Sequence, residues 1–458
     1  MVVSYKKFFT LFFLSLVFIL SACSEENTSK EKKEEETANS EVKQEVEETS
    51  NKEEAKVSLP DNFFLDNRKK LAEKMEVGSV VVLYGERIRE PYFTEDIGAD
   101  RNFYYLTGVK DSEGFIVLKK NKDSLEETLY LSREAEVNSE EAEQISKIST
   151  MKEAEIFEED LNIILSESPT LYLELNGNKL GEPVQTQTVK NLKSTASEKG
   201  SQVKDISETL ASLRMVKTEE EINMIKEAIA VTIEGIKTVM KTAKDNINEA
   251  ELEEAFINTL HEREIDKMSF GPIIGGGKNS TEFHYQNNNM EIPKDSMIVN
   301  DVGAEYEYYA ADITRSFPVD GTFTDRQKEI YELVLKAQEE TINAVKPGVT
   351  VFDLERIATN TLSAGLLKLE LISDEGQLFD YYPHVVTHHL GLEAHDTYNM
   401  LQPLEPGMVI TVEPGIYIPE EKLGVRIEDD ILVTENGNEV LSKDLFKSIE
   451  EIESFMKE

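Results

Sequence analysis

The sequence predicts two folded halves: an α/β domain over residues 59–213 and an α+β domain over residues 214–458. Three observations carry this expectation. Residues 59–213 alternate short β-rich runs with charged, helix-compatible stretches. Near residue 214 the pattern changes: Thr218 with Glu221 forms a capping-box signature, and Ile222, Ile225, Ile229 and Ile233 follow at helical spacing. Beyond that point long helices mix with strongly alternating strand pairs. A chain of 458 residues with 39% hydrophobic residues is long enough for two or three such cores.

The N-terminus precedes both halves. Lys6 and Lys7 stand before an apolar run, Phe8–Leu20, too short to span a membrane comfortably. The run ends in Leu20-Ser21-Ala22-Cys23, which resembles a bacterial lipobox. Residues 1–22 then form a signal peptide, and Cys23 becomes a lipidated N-terminus on the extracytoplasmic face of the cell membrane. An ordinary secretory signal with an incidental cysteine is the alternative. Acyl chains would anchor the chain at about 0.8 kcal/mol per buried methylene. Residues 23–58 are Glu, Lys, Ser, Thr and Asn with almost nothing apolar. Such a segment cannot bury enough surface to offset its ordering entropy, so it reads as a disordered acidic tether. A helix laced with Glu–Lys pairs is the alternative.

Within the first half, Val80–Gly85, Phe103–Gly108, Gly114–Lys119, Leu129–Ser132 and Leu171–Leu175 read as strands, and Ser139–Glu159 as helix-compatible. In the second half, Asp325–Val345 reads as a helix stopped by Pro347-Gly348, and Thr350 opens another. Met297–Phe317 and Met408–Val433 read as strand pairs.

The formal net charge is −41 and the pI about 4.6. This excludes a nucleic-acid partner, which needs a basic footprint. A single cysteine excludes a disulfide framework and thiolate zinc sites. Any metal must therefore use oxygen and imidazole ligands.

A hairpin turning at Tyr306-Glu307 sets Asp301 opposite Asp312. Two carboxylates face to face are destabilising unless a cation compensates, and hard divalent cations favour such oxygens. Tyr-Glu is not a favoured two-residue hairpin turn, so a longer loop stays open. Glu413 and Glu428 form a second pair across the irregular Pro414–Gly424 segment. Alone, each pair is more often a solvated surface feature. The histidines change that balance. Of six in the chain, His384, His388, His389 and His395 lie within twelve residues, and His284 stands just before the first hairpin. His384 and His388 are four apart, but no Glu follows His384, so this is not a zincin helix. A mixed carboxylate and imidazole set suits two divalent ions that acidify a bridging water and polarise a carbonyl.

Four segments resemble the pita-bread metallopeptidases (the creatinase, aminopeptidase P and prolidase family). They are Asp301-Val-Gly-Ala-Glu-Tyr through Ala311-Asp312-Ile-Thr-Arg-Ser-Phe-Pro318, His388-His-Leu-Gly391-Leu-Glu-Ala-His395-Asp396, Val412-Glu413-Pro-Gly415, and Arg426-Ile-Glu428-Asp. Tyr92-Phe-Thr-Glu-Asp and Arg101-Asn-Phe-Tyr-Tyr-Leu-Thr-Gly108 resemble the N-terminal domain of Xaa-Pro aminopeptidases. The resemblance covers nearly all of 59–458. It implies an aminopeptidase P-type domain over 59–213 and a pita-bread catalytic domain over 214–458, with a curved antiparallel sheet flanked by helices.

It also implies the site. Asp301 would chelate one metal, His388 would bind the other, Asp312 and Glu428 would bridge the two, and Glu413 would bind one of the ions. Glu413 would shuttle the proton of a metal-bridging hydroxide. His284 and His395 would stabilise the tetrahedral intermediate. His384 and Tyr417 would shape a proline pocket, and Arg426 would orient the ligands. The implied cofactors are two divalent ions, manganese first and cobalt or zinc as alternatives. The implied partners are a peptide substrate and further copies of the chain, as a homodimer or homotetramer. Val385, Thr387 and His389 depart from residues common in the family, which bears on substrate preference.

The expected activity is release of the N-terminal residue from peptides with proline second. A prolidase-type dipeptidase with the same metals is the alternative. A non-catalytic peptide-binding lipoprotein is a third reading, which retention of all five ligands opposes.

Overall fold

Ser79–Tyr84 (β1) is apolar at nearly every position because both its faces are buried. The computed structural model describes residues 57–458 except 87–99, 134, 176–185, 398 and 400. The expected signal peptide, Cys23, almost all of the tether and the Tyr92 motif lie outside the described residues. Successive β1 side chains enter different cores. Val80, Val82 and Tyr84 pack with Phe157, Leu161 and Leu192, whereas Val81 and Leu83 join the main core that continues through the C-terminal half.

β1 is central in a six-stranded mixed sheet. The other strands of the sheet are Phe115–Lys120 (β2), Leu125–Leu131 (β3), Met151–Glu153 (β4), Thr170–Leu173 (β5) and Gln202–Asp205 (β6), in the order β4-β3-β2-β1-β5-β6. Phe63–Lys74 (α1) and Arg101–Thr107 (α2) contribute Phe64, Leu71, Phe103 and Leu106 to the main core. Ser139–Ser146 (α3) precedes β4, and Phe157–Ser166 (α4) and Gln187–Lys199 (α5) cover the second core. This is the expected α/β half.

Two segments differ from expectation. Phe103–Gly108 is the α2 helix, not a strand. Asp100 caps it by accepting from the Asn102 and Phe103 amides, and Gly108 ends it in a left-handed conformation. All seven helical residues are buried, so no amphipathic pattern betrays it. The stretch Ser139–Glu159 is broken at Lys147, whose positive φ closes α3, and β4 follows.

Ser207–Met215 (α6) crosses the expected boundary at 213. The Tyr105 hydroxyl donates to the Leu213 carbonyl, which ties α6 to the first half. Glu219–Thr242 (α7) then starts the second half with the expected Thr218–Glu221 capping box. Glu249–Glu262 (α8) crosses it, and Phe256 fills the space left by Gly235. Residues 57–458 form one compact unit.

The second half holds antiparallel ladders flanked by helices. Ile273–Gly276 (β7), Met297–Val302 (β8) and Ile313–Pro318 (β11) pair with β8 in the middle. The hairpin continues outward as Glu305–Tyr306 (β9) and Tyr309–Ala310 (β10). Its turn is therefore Glu307-Tyr308, one position later than expected, and each residue's partner moves by two. Asp301 faces Thr314, not Asp312. A two-residue shift preserves the side of the pleat, so both aspartates still share a face, now diagonally. Glu307 and Tyr308 both have positive φ, the geometry of a tight hairpin turn normally reserved for Asn and Gly. The Tyr308 ring stacks on Tyr104 at 4.3 Å with the Arg101 guanidinium 3.9 Å from its centroid, which offsets that strain.

Asp325–Ala344 (α9) and Val351–Lys368 (α10) run where expected, each opened by a threonine capping box. The second strand pair follows: Val409–Val412 (β12) with Asp429–Thr434 (β15), and Gly415–Ile418 (β13) with Leu423–Arg426 (β14). Gly437–Val440 (β16) borders β15, and Ile449–Lys457 (α11) closes the chain. Both hairpins are thus long and interrupted midway, and the acid pairs sit at the interruptions.

Candidate metal centre and active site

Asp301 lies on β8 and Asp312 just before β11. Glu413 follows β12 and Glu428 precedes β15, opposite one another where the ladder from Val412–Asp429 would continue. The segment 386–390 runs beside β12: Leu390 donates to Val409, Thr411 to His388 and Glu413 to Val386. That ladder delivers His388 to the four carboxylates. Possible ligand atoms of Asp301, Asp312 and Glu428 lie within 4.8 Å of one another, as do those of His388, Glu413 and Glu428. Asp312, His388 and His395 form a third such group. The structure therefore brings together all five expected ligands, with Glu428 and Asp312 each shared between groups.

The chemistry of this set calls for cations. Burial raises the Asp312 and Glu428 carboxyls well above the usual range, and mutual repulsion with Asp301 and each other adds to it. Burial also pushes Glu413 up to about 8, against the pull of Arg426. One guanidinium faces four carboxylates, so positive charge is short. His388 Nδ1 lies 3.2 Å from the His389 carbonyl, which can only accept, so Nδ1 carries the proton. Its bare Nε2 then points at Glu413 Oε1 (3.3 Å) and Asp312 Oδ2 (3.5 Å), an arrangement that a cation between them stabilises. The buried Asp301 Oδ1 has no hydrogen-bond partner. An orphaned carboxylate oxygen, a directed imidazole lone pair and unbalanced buried acids fit a divalent cation site of oxygen and imidazole donors.

Arg426 organises the ligands. It donates to Asp301 Oδ2 at 2.6 Å and to Thr314 Oγ1 at 3.1 Å, and Thr314 in turn donates to Glu428 at 2.7 Å. It also donates to the Tyr417 hydroxyl at 2.6 Å. Tyr417 lies 3.0 Å from His384 Nε2, and His384 Nδ1 lies 2.9 Å from the Val385 carbonyl. The proton order is therefore fixed: Nδ1 donates to the carbonyl and Tyr417 donates to Nε2. Burial accordingly holds His384 neutral, its pKa lowered to about 3. The Phe283 ring stacks on His384 at 4.3 Å and contacts His284, and Tyr382 meets His384 edge-on. His284 and His395 are exposed at the site, with the His395 ring 4.2 Å from His388.

Phe283 lies outside the motifs read from the sequence, and Thr314 and the buried Asp396 fall within them but received no role there. Phe283 was signalled only by adjoining His284. Thr314 matters through a register that the sequence did not fix.

These features define a metallohydrolase centre of carboxylates and imidazole. Residues 223–435 match the metallopeptidase family M24, and residues 64–172 match the aminopeptidase P N-terminal domain. A Xaa-Pro aminopeptidase of Haemophilus influenzae is 31% identical over 87% of this chain and 98% of its own length. One of Escherichia coli is 30% identical over 86% and 97%. A solved Bacillus anthracis chain assigned as an aminopeptidase P superposes with TM-score 0.81 at 38% identity, covering 87% of this chain and 99% of that one. The chain belongs to the M24 metallopeptidase family, and its architecture is the two-domain, pita-bread form of aminopeptidase P.

Proposed function

We propose that this enzyme releases the N-terminal residue from peptides carrying proline in second position. The carrying observation is the pair of carboxylate groups sharing Glu428, in a chain that aligns with Xaa-Pro aminopeptidases across both halves. The full-length relatives favour this over the prolidase reading. Asp301, Asp312 and Glu428 would hold one divalent cation, and His388, Glu413 and Glu428 a second, with Asp312 shared. Manganese is the proposed metal. When bound, the cations supply Lewis acidity toward the scissile carbonyl and lower the pKa of water.

The chain's own groups do the rest. Glu413 accepts the proton of the attacking water and delivers it to the leaving nitrogen. His284 and His395, exposed at the mouth, donate to the oxygen that becomes negative in the tetrahedral intermediate. The rings of Phe283, His384 and Tyr417 pack against one another and would offer a pyrrolidine ring an aromatic surface. Arg426 fixes that surface and the ligands at once.

Manganese-loaded protein should cleave Arg-Pro-Pro in preference to Gly-Pro. Asp312→Ala and Glu413→Ala should each lower kcat by about 10²–10⁴-fold. Cleavage of neither peptide would overturn the proposal, and cleavage of Gly-Pro alone would return it to the dipeptidase reading.

We further propose a lipid anchor at Cys23 that places the enzyme outside the cytoplasm. Among the described residues no helix is long and apolar enough to cross a membrane. Wild-type protein should enter the detergent phase on phase separation and Cys23→Ser protein the aqueous phase. Equal partitioning would dismiss the anchor.

A further inference from the structure

The described residues hold a second buried polar cluster, behind the loop that carries His395. Asp396 is buried, and both its oxygens are engaged. Oδ1 accepts from Arg214 Nη2 at 2.5 Å, and Oδ2 from Lys217 Nζ at 3.1 Å. Arg214 Nη1 donates to Asn102 Oδ1 at 2.8 Å, which reaches into the α2 helix of the first half. Arg214, Lys217, Asn102 and Asp396 are all at most 5% exposed. Glu393 adds a second carboxylate 3.8 Å from Arg214.

The loop is built to receive these groups. A Cβ at Gly391 would meet Asp396 Oδ2 at 2.2 Å and Lys217 Cε at 2.8 Å, so only glycine leaves room for the ion pair. The Asp396 amide donates to the His389 carbonyl at 2.8 Å, and the Ala310 amide to the Gly391 carbonyl at 2.8 Å. The loop is thus pinned to the metal-ligand hairpin on one side and to the ion pair on the other. His395 alone of residues 394–396 emerges from it, toward His388.

We propose that Arg214, held by Asn102 and paired with Asp396, is a positioning residue for His395. It sets where the imidazole meets the reacting carbonyl, and it makes that placement depend on the first half of the chain. The physical basis is geometric. Asp396 and His395 are adjacent in the backbone, so a fixed carboxylate fixes the neighbouring Cα–Cβ direction. A misplacement of about 1 Å in such a group costs up to about 10²-fold in rate. This inference rests on the reading that His395 acts at the carbonyl.

A cycle of variants tests it in the manganese-loaded, full-length protein with Arg-Pro-Pro as substrate. Arg214→Lys keeps the charge but loses the two-pronged donor, and Asn102→Ala removes the prop beneath it together with the Asn102 hydrogen bond to Glu174. Each should lower kcat about tenfold or more while KM changes less than about threefold. In a His395→Ala background the same substitutions should change kcat by less than about twofold, because their target is gone. Equal fold losses in both backgrounds would make the cluster a fold element only and overturn the proposal. Wild-type kcat in Asn102→Ala would overturn it too, even if Arg214→Lys does not fold. An unchanged kcat in His395→Ala alone would instead dismiss the role of His395, and the positioning claim with it.

Discussion

Asp396 shows how a single buried charge is kept. Burial by itself would raise its carboxyl, but the Arg214 and Lys217 charges outweigh it and hold it below the ordinary value of 3.8. An acid with a depressed folded pKa contributes stability that is complete above its unfolded value and is lost as pH falls through the folded one. Asp396→Asn should therefore cost about 3–5 kcal/mol at pH 7, since it removes the carboxylate that both buried Arg214 and Lys217 pair with. The gap from wild type should narrow below pH 3.8. Urea unfolding of chelator-treated protein across that range measures it, and a gap constant with pH would contradict the assignment. At this scale the sequence was informative about residue type. Asp301, Asp312, His388, Glu413 and Glu428 stand out because acids and histidines cluster in a His-poor chain. Arg214 and Lys217 did not, because a lone basic residue carries no local sign of a partner nearly two hundred positions away.

The hairpins are the elements that hold the centre. β8, β9, β10 and β11 place Asp301 and Asp312 on one face because the two ladders keep the same register on either side of the interruption. That close return leaves no space at Gly303, where a Cβ would lie 1.9 Å from the Ala311 carbonyl. Gly303→Ala should destabilise the protein by about 1–3 kcal/mol and reduce bound metal. Gly437→Ala, with nothing within 4 Å, is the control. Metal content and thermal midpoint read the outcome, and equal behaviour of the two variants would show that the hairpin tolerates spreading. The helices α7, α9 and α10 were legible because capping residues and apolar spacing are local signals. The α2 helix was not, because Phe103, Tyr104 and Tyr105 favour strands locally and its burial on all sides erases periodicity.

At the scale of the whole molecule the two halves form one unit. The main core runs from Phe64 and Leu83 through Ile225 to Ile431 without a break. Arg101 also pairs with Glu305, which joins α2 to the metal-ligand hairpin. Cations at the centre would relieve the crowding of Asp312, Glu413 and Glu428, so their removal should be felt globally. Stripping metal with a chelator should lower unfolding free energy by about 2.7 kcal/mol relative to protein in hundredfold excess of manganese over Kd, and manganese should restore it. Calorimetry that finds no shift would mean that no cation binds the folded state preferentially. The sequence by itself determined the ligand types, the two-half order, the long helices and the family resemblance, because each depends on neighbours along the chain or on a motif in order. Only the tertiary structure decided the hairpin register, the helical state of 101–107 and the clamp from Asn102 through Arg214 to Asp396. Those depend on which distant segments pair and on which charges are buried together, and neither is encoded in local spacing.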